Sequence, residues 1–205
     1  AAYVRAQLQS ILDQTVQDLH VVVSDDGSTD ETLAIVEAMA ATHPGRITIL
    51  RQNPPTGSAQ RHFLKLFVER AYDVADYIML SDQDDVWLPE KVEKTLARMQ
   101  ADEAACRTAG EANAPILVHC DSRIVDRELR EIAPSFVAYQ KMTPSRCQLQ
   151  QLLVQNNVVG GALMMNRALA ERITEIPAHC VMHDQWIALV ASAFGHIDFV
   201  PEALY

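Results

Sequence analysis

The chain has 205 residues, 49% of them hydrophobic and 21% charged, which suits one domain with a buried core. Its formal net charge of −10 excludes a general nucleic-acid binder, which needs a basic face, but allows a nucleotide ligand bridged by a divalent cation. No apolar run approaches the ~20 residues that cross a bilayer, so no transmembrane segment is expected.

In chain order, the first predicted element is a helix with Val4, Leu8, Ile11 and Leu12 on one side, leading into a strand, "LHVVVSDD". A helix over 29–41, a short strand "ITIL" and a helix carrying Phe63, Leu66 and Phe67 follow. Next come the strand "YIML" and a helix over 89–99. Alternating strands and helices, with the strands apolar on both faces, predict a mostly parallel sheet flanked by helices. From "APILVHCD" onward the rhythm changes to strands and short helices near 145–155 and 167–174, then a buried helix over 184–194 and the strand-like "HIDFVPEALY". This second half is expected to join the same sheet. A sheet that opens on a bare helix leads us to expect a piece of a longer chain, without its first strand. Cys106, Cys120, Cys147 and Cys180 lack metal-finger spacing and read as buried thiols of a reducing, cytoplasmic compartment.

Ligands of such sheets bind at the C-terminal ends of strands, where "SDDGSTDE" and "SDQDDVWLPE" both fall. In the first, Ser28 and Glu31 form a capping-box pattern and Gly27 suits a turn. That pattern leaves Asp25 and Asp26 unexplained, and a carboxylate there could accept the N3–H of a uracil or thymine ring. In the second, one carboxylate is at home before a helix N-terminus, and Pro89 belongs in a first turn. Three carboxylates are harder to justify. Asp82 and Asp84, spaced D-x-D, would project to one side of an extended segment and suit Mg²⁺ or Mn²⁺ shared with phosphates. In "CVMHDQWIALVASAFG", Asp184 is either a helix cap or a general base facing a cleft, with Trp186 as an apolar wall. Asn156, Asn157, Gly160 and Gly161 make either a ligand-side loop or a plain turn into a strand.

Taken together, "VVVSDDGSTDET", "MLSDQDDVWLPEKV", "HCDSRIVD", "NNVVGGALMMNRAL" and "HDQWIALVASAFG" resemble the family-2 glycosyltransferases of the GT-A fold, in particular bacterial rhamnosyltransferase-like members. The resemblance implies a single Rossmann-like domain over 1–205, truncated at both ends, with 1–110 binding the nucleotide-sugar and 111–205 the acceptor. It implies that Asp26 reads the pyrimidine base with Asp25 beside it, that Asp82 and Asp84 bind nucleotide-sugar and metal, and that Asp184 is the catalytic base. Trp87, Asn157, Gly160, Gly161, His183 and Trp186 would line the acceptor or sugar pocket; His183 stands where many members have Glu. The implied reaction is inverting transfer from a dTDP- or UDP-linked sugar to a saccharide or lipid-linked saccharide, with Mg²⁺ or Mn²⁺, in the cytoplasm or at the inner face of the membrane. A silent binding module of the same fold and a sugar nucleotidyltransferase are the alternatives; the latter should carry a Gly-rich basic loop, which this sequence lacks.

Overall fold

Each face of one four-stranded sheet is covered by helices, and a smaller parallel pair stands beside it. The computed structural model describes residues 1–69, 75–174, 177 and 181–205, with only the backbone of Val68; Cys180 lies outside the described residues. The first half contains α1 (Val4–Leu12), β1 (Val21–Asp25), α2 (Thr32–Thr42), β2 (Ile47–Arg51), α3 (Ala59–Val68), β3 (Tyr77–Met79) and α4 (Lys91–Thr108). Then follow β4 (Ile116–Asp121), β5 (Ile124–Val125), β6 (Glu131–Ala133), α5 (Phe136–Tyr139), α6 (Leu149–Leu152), β7 (Leu163–Asn166), α7 (Arg167–Ala170), α8 (His183–Phe194) and β8 (His196–Ala203).

The helices form where the apolar spacing says they should. Val4, Leu8 and Leu12 bury one side of α1 against Val36 and Met39 of α2 and the inner residues of β1 and β2, while Ile11 packs with Trp87, Val92 and Met99. Ser58 caps α3 by accepting from the Arg61 amide at 3.2 Å. The capping box expected at Ser28 and Glu31 does not form. α2 starts three residues past Thr29, and the Thr32 amide donates to Asp30 while the Ser28 amide turns back to Asp25. The Asp25 carboxylate takes the Ser28 amide that the Glu31 side chain would have to bind.

β1 and β2 pair in parallel. The larger sheet runs β3-β7-β4-β8, and it is mixed: β7 is antiparallel to both β3 and β4, whereas β4 and β8 are parallel. A strand fed by an irregular segment and a 3₁₀ turn, not by a crossover helix, is free to enter in that direction. β7 thus joins a strand of the first half to one of the second. Every residue of β4 is buried, as expected of a central strand covered on both sides. Alternation feeds both layers: Leu117, Leu163 and Met165 pack with α8 through Ile187, Ala188 and Ala191, while Ile116, Val118 and Met164 pack with Met99 of α4. Val21 of β1 joins Tyr77 and Met79 of β3 in that second cluster, which seats the small sheet beside the larger one.

The link from α8 to β8 depends on Gly195. An ideal Cβ there would fall 1.8 Å from the Pro115 carbonyl oxygen, a backbone atom that cannot swing away. Gly195→Ala should therefore displace the start of β8 from β4 and lower the melting temperature by roughly 5 °C or more, read by thermal unfolding.

Candidate active site

Asp82, Asp84 and Asp85 follow β3 directly. Their geometry departs from the extended segment assumed for D-x-D, because Gln83 and Asp84 form a turn. The turn leaves Asp84 exposed and brings Asp85 back toward Asp82, both half-buried. No hydrogen bond or ion pair ends on any of these three side chains among the described residues. Burial, and then the neighbouring Asp82 charge, push the Asp85 carboxyl up to about 6; burial likewise raises Asp82, with Asp84 and Asp184 adding to the effect.

Asp184 lies in the first turn of α8, behind the N-cap Met182, so it is not the cap. Its carboxylate accepts the Gln185 amide at 2.6 Å and the Gly160 amide at 3.2 Å. Burial raises its pKa against the pull of those amides. His183 is 3% exposed and stacks on Phe63 with ring centroids 4.2 Å apart. Neither of its ring nitrogens meets a partner among the described residues, and burial lowers its pKa while Asp82 works the other way. Gly160 and Gly161 form the buried 3₁₀ turn before β7. A Cβ on Gly160 would lie 2.8 Å from His183 Nε2, and one on Gly161 2.6 Å from Asp85 Oδ2, so both glycines are spaces the site requires. The acidic loop, this turn and the start of α8 form one assembly.

Asp25 and Asp26 end β1 and belong to another. Asp25 is buried and accepts the Gly27 and Ser28 amides at 3.1 Å, a turn that Gly27 makes at φ +91°. Asp26 accepts from the Thr56 amide at 2.5 Å, the Thr56 hydroxyl at 2.8 Å and the Gly57 amide at 3.0 Å. Burial works to raise the Asp26 pKa, and these bonds more than offset it. The groups acting on Asp26 are Thr56, Gly57 and His62, none of them shared with Asp82.

Trp87, expected in a sugar pocket, is 6% exposed in the core, and Asn157 is buried with its amide donating to the Arg146 carbonyl at 3.0 Å. Trp186 is half-buried against the α8 layer. Surface cavities of about 530 and 680 Å³ are lined by none of the candidate residues. Sequence reasoning missed two participants, Lys91 and Tyr205. Lys91 is fully buried, its Nζ 3.9 Å from the centroid of Trp87 and 3.8 Å from that of Tyr205. A signal existed: a lysine opening a helix stands at the end where the dipole disfavours cations.

The donor set suits a hard divalent cation, since it is all carboxylate oxygen, crowded and unpartnered. No three of these side chains bring ligand atoms within 4.8 Å of one another; among the described residues only Cys106, Glu111 and His196 do so. A cation at the acidic loop would therefore complete its shell with water or with the oxygens of a ligand.

The sequence model of "Glycosyl transferase family 2" matches residues 1–174. The chain is 35% identical over 104 residues to dTDP-rhamnosyl transferase RfbG of Shigella flexneri, covering 51% of this chain and 36% of that protein. It is 35% identical over 127 residues to a chondroitin synthase of Escherichia coli, covering 62% of this chain and 16% of that one. Among solved structures, S. aureus TarS 1-349 in complex with UDP superposes with a TM-score of 0.70 at 18% identity, over 99% of this chain and 55% of that one. Mannosyltransferase PcManGT from Pyrobaculum calidifontis, in complex with GDP-Man and Mn²⁺, gives 0.65 at 19% identity over 97% and 50%. The fold is GT-A. The chain spans about a third of RfbG and about half of each solved chain.

Asp85 yields a stability test. Its carboxyl holds a proton more tightly in the folded state than the ordinary 3.8, so stability is lost as pH rises through that value to about 6. Without metal, Asp85→Asn should raise the melting temperature at about pH 8 and give little gain at about pH 4, followed by thermal unfolding across that range.

Proposed function

The chain belongs to glycosyl transferase family 2, and from that premise we propose that the protein is an inverting, metal-dependent glycosyltransferase of cell-surface polysaccharide synthesis. The donor is a nucleotide-diphosphate sugar linked to dTDP or UDP, with rhamnose favoured by the likeness to RfbG, and the acceptor a saccharide or lipid-linked saccharide. The observation that carries this reading is the set of unpartnered carboxylates at the end of β3, set electrostatically against Asp184 at the start of α8.

In this reading Asp82 and Asp84 hold Mg²⁺ or Mn²⁺, which when bound supplies positive charge to the departing nucleotide diphosphate. Their failure to converge as a three-residue cage agrees with an ion completed by phosphate oxygens. Asp184 takes the proton of an acceptor hydroxyl as that oxygen attacks the anomeric carbon from the face opposite the nucleotide, so one displacement inverts the centre. The Gly160 and Gln185 amides orient its carboxylate, and burial makes it a better base than an exposed one. Asp26 uses three of the roughly four acceptor positions of a carboxylate, which leaves one for a pyrimidine N3–H. Asp25 holds the turn beneath it.

The first test is a thermal-shift series of full-length protein with dTDP- and UDP-sugars, with and without Mn²⁺. A donor that binds only the native state raises the melting point, and the rise should require the metal. Loss of that rise in Asp84→Ala would support the ligand assignment. No rise with any donor would remove the nucleotide-sugar reading.

Asp184→Asn keeps the shape and one of the two acceptor oxygens that take the Gln185 and Gly160 amides, and it loses the basic oxygen. Transfer should fall by roughly 10²–10⁴-fold while donor binding stays put. In wild-type protein, transfer should be lost as pH falls through a pKa above the ordinary 3.8, because burial raises Asp184. Normal turnover in the Asn variant would leave Asp184 as a support for the Gly160 turn alone.

A further inference from the structure

Lys91 opens α4, where the helix dipole opposes a cation, and it is fully buried. Its Nζ donates to the Gly161 carbonyl at 2.5 Å and is held between the faces of Trp87 and Tyr205. All three partners are electron-rich, and none offers a proton to an amine lone pair, so the cage is built for an ammonium. The titratable groups that face it are Asp85 and Asp82 of the acidic loop and Cys120 of β4. Among the described residues, no carboxylate pairs with it directly.

Stability does not account for such a residue. A buried ammonium without a direct carboxylate partner is costly, and a methionine of similar length would fill the space without that penalty. What only Lys91 supplies is charge beneath a loop that carries three carboxylates. With the ammonium in place that loop has a net charge of −2, which one divalent cation neutralises; without it the loop would carry −3.

We infer that Lys91 is a built-in counter-cation of the acidic loop, which keeps the loop's own hold on a divalent cation weak, so that the ion is held firmly only together with the donor's diphosphate. Lys91 acts through the loop and does not touch the donor. It is a positioning and charge-setting residue, and the inference rests on the metal role proposed for Asp82 and Asp84. It also explains why the ammonium reaches Gly161: the same contact fixes the turn whose other glycine amide orients Asp184.

The test follows free Mn²⁺ by electron paramagnetic resonance in titrations of the full-length protein, without and with UDP, at about pH 6.5, where the ammonium mostly keeps its proton. Wild type is compared with Lys91→Met and with Lys91→Met/Asp85→Asn, and melting temperatures are taken without metal. Lys91→Met should bind Mn²⁺ alone roughly tenfold more tightly, since a positive charge near the ion has gone. The double variant restores the loop charge and should return to wild-type affinity; it carries the comparison if the single variant does not fold. Mere damage to the site predicts the opposite sign, weaker Mn²⁺ binding in both variants. Unchanged or weaker binding by folded Lys91→Met, or a double variant far from wild type, overturns the inference and leaves the glycosyltransferase reading intact. No Mn²⁺ binding by wild type, with or without UDP, overturns the metal reading and this inference together.

Discussion

Carboxylates taken out of water must be answered by positive charge, hydrogen-bond donors or protons, and the end of β3 offers no donors to Asp82, Asp84 and Asp85. The surrounding structure is arranged around that deficit. α4 begins within a few residues of the loop, so its positive end lies close to the acids along the chain. Lys91 adds a positive charge that burial weakens, its pKa lowered to about 7. Burial raises Asp82 and Asp85, as it must where compensation is incomplete. A site left short of positive charge is ready for a cation.

The sheet topology supplies the second half of the site. β7 runs antiparallel between β3 and β4, so the turn that feeds it, Gly160–Ala162, emerges beside the acidic loop. α8 then packs its first turn on the same spot, and Phe63 of α3 stacks on His183. Gly160 and Gly161 have no side chains because His183 and Asp85 occupy the space where a Cβ would be. The closeness of acids, turn and candidate base thus shows as side chains packed directly on the glycine turn, the buried His183 ring on Gly160 and the Asp85 carboxylate on Gly161.

The two acidic clusters look alike in sequence and differ in what they are attached to. Asp25 takes the amides of its own turn and organises that loop, and Asp26 is held by three donors of the Thr56–Gly57 segment, which fix its direction and leave it one open acceptor position. Asp82, Asp84 and Asp85 meet no such amides. Hydrogen-bond satisfaction separates a carboxylate that builds a loop from one that awaits a ligand, and it depends on which segment folds over it.

Much was legible in the sequence for a physical reason: periodicity and strand-end chemistry are local. The apolar spacing of Val4, Leu8, Ile11 and Leu12, the run "ILVHCD" and the acids after "YIML" determined helices, a buried strand and a loop rich in carboxylates. The family resemblance was legible too, because its motifs are contiguous. Only the tertiary structure decided the rest. It brought Asp85 as well as Asp84 within reach of Asp82, through a turn that spacing alone does not specify. It buried Trp87, which a linear reading placed in a sugar pocket, and used its ring to hold Lys91. It joined Lys91 to Tyr205, more than a hundred positions away, and to the carbonyl of Gly161. Such contacts depend on strand order and side-chain packing, which involve residues far apart in the chain, and the burial that shifts the acids exists only once those distant residues exclude water.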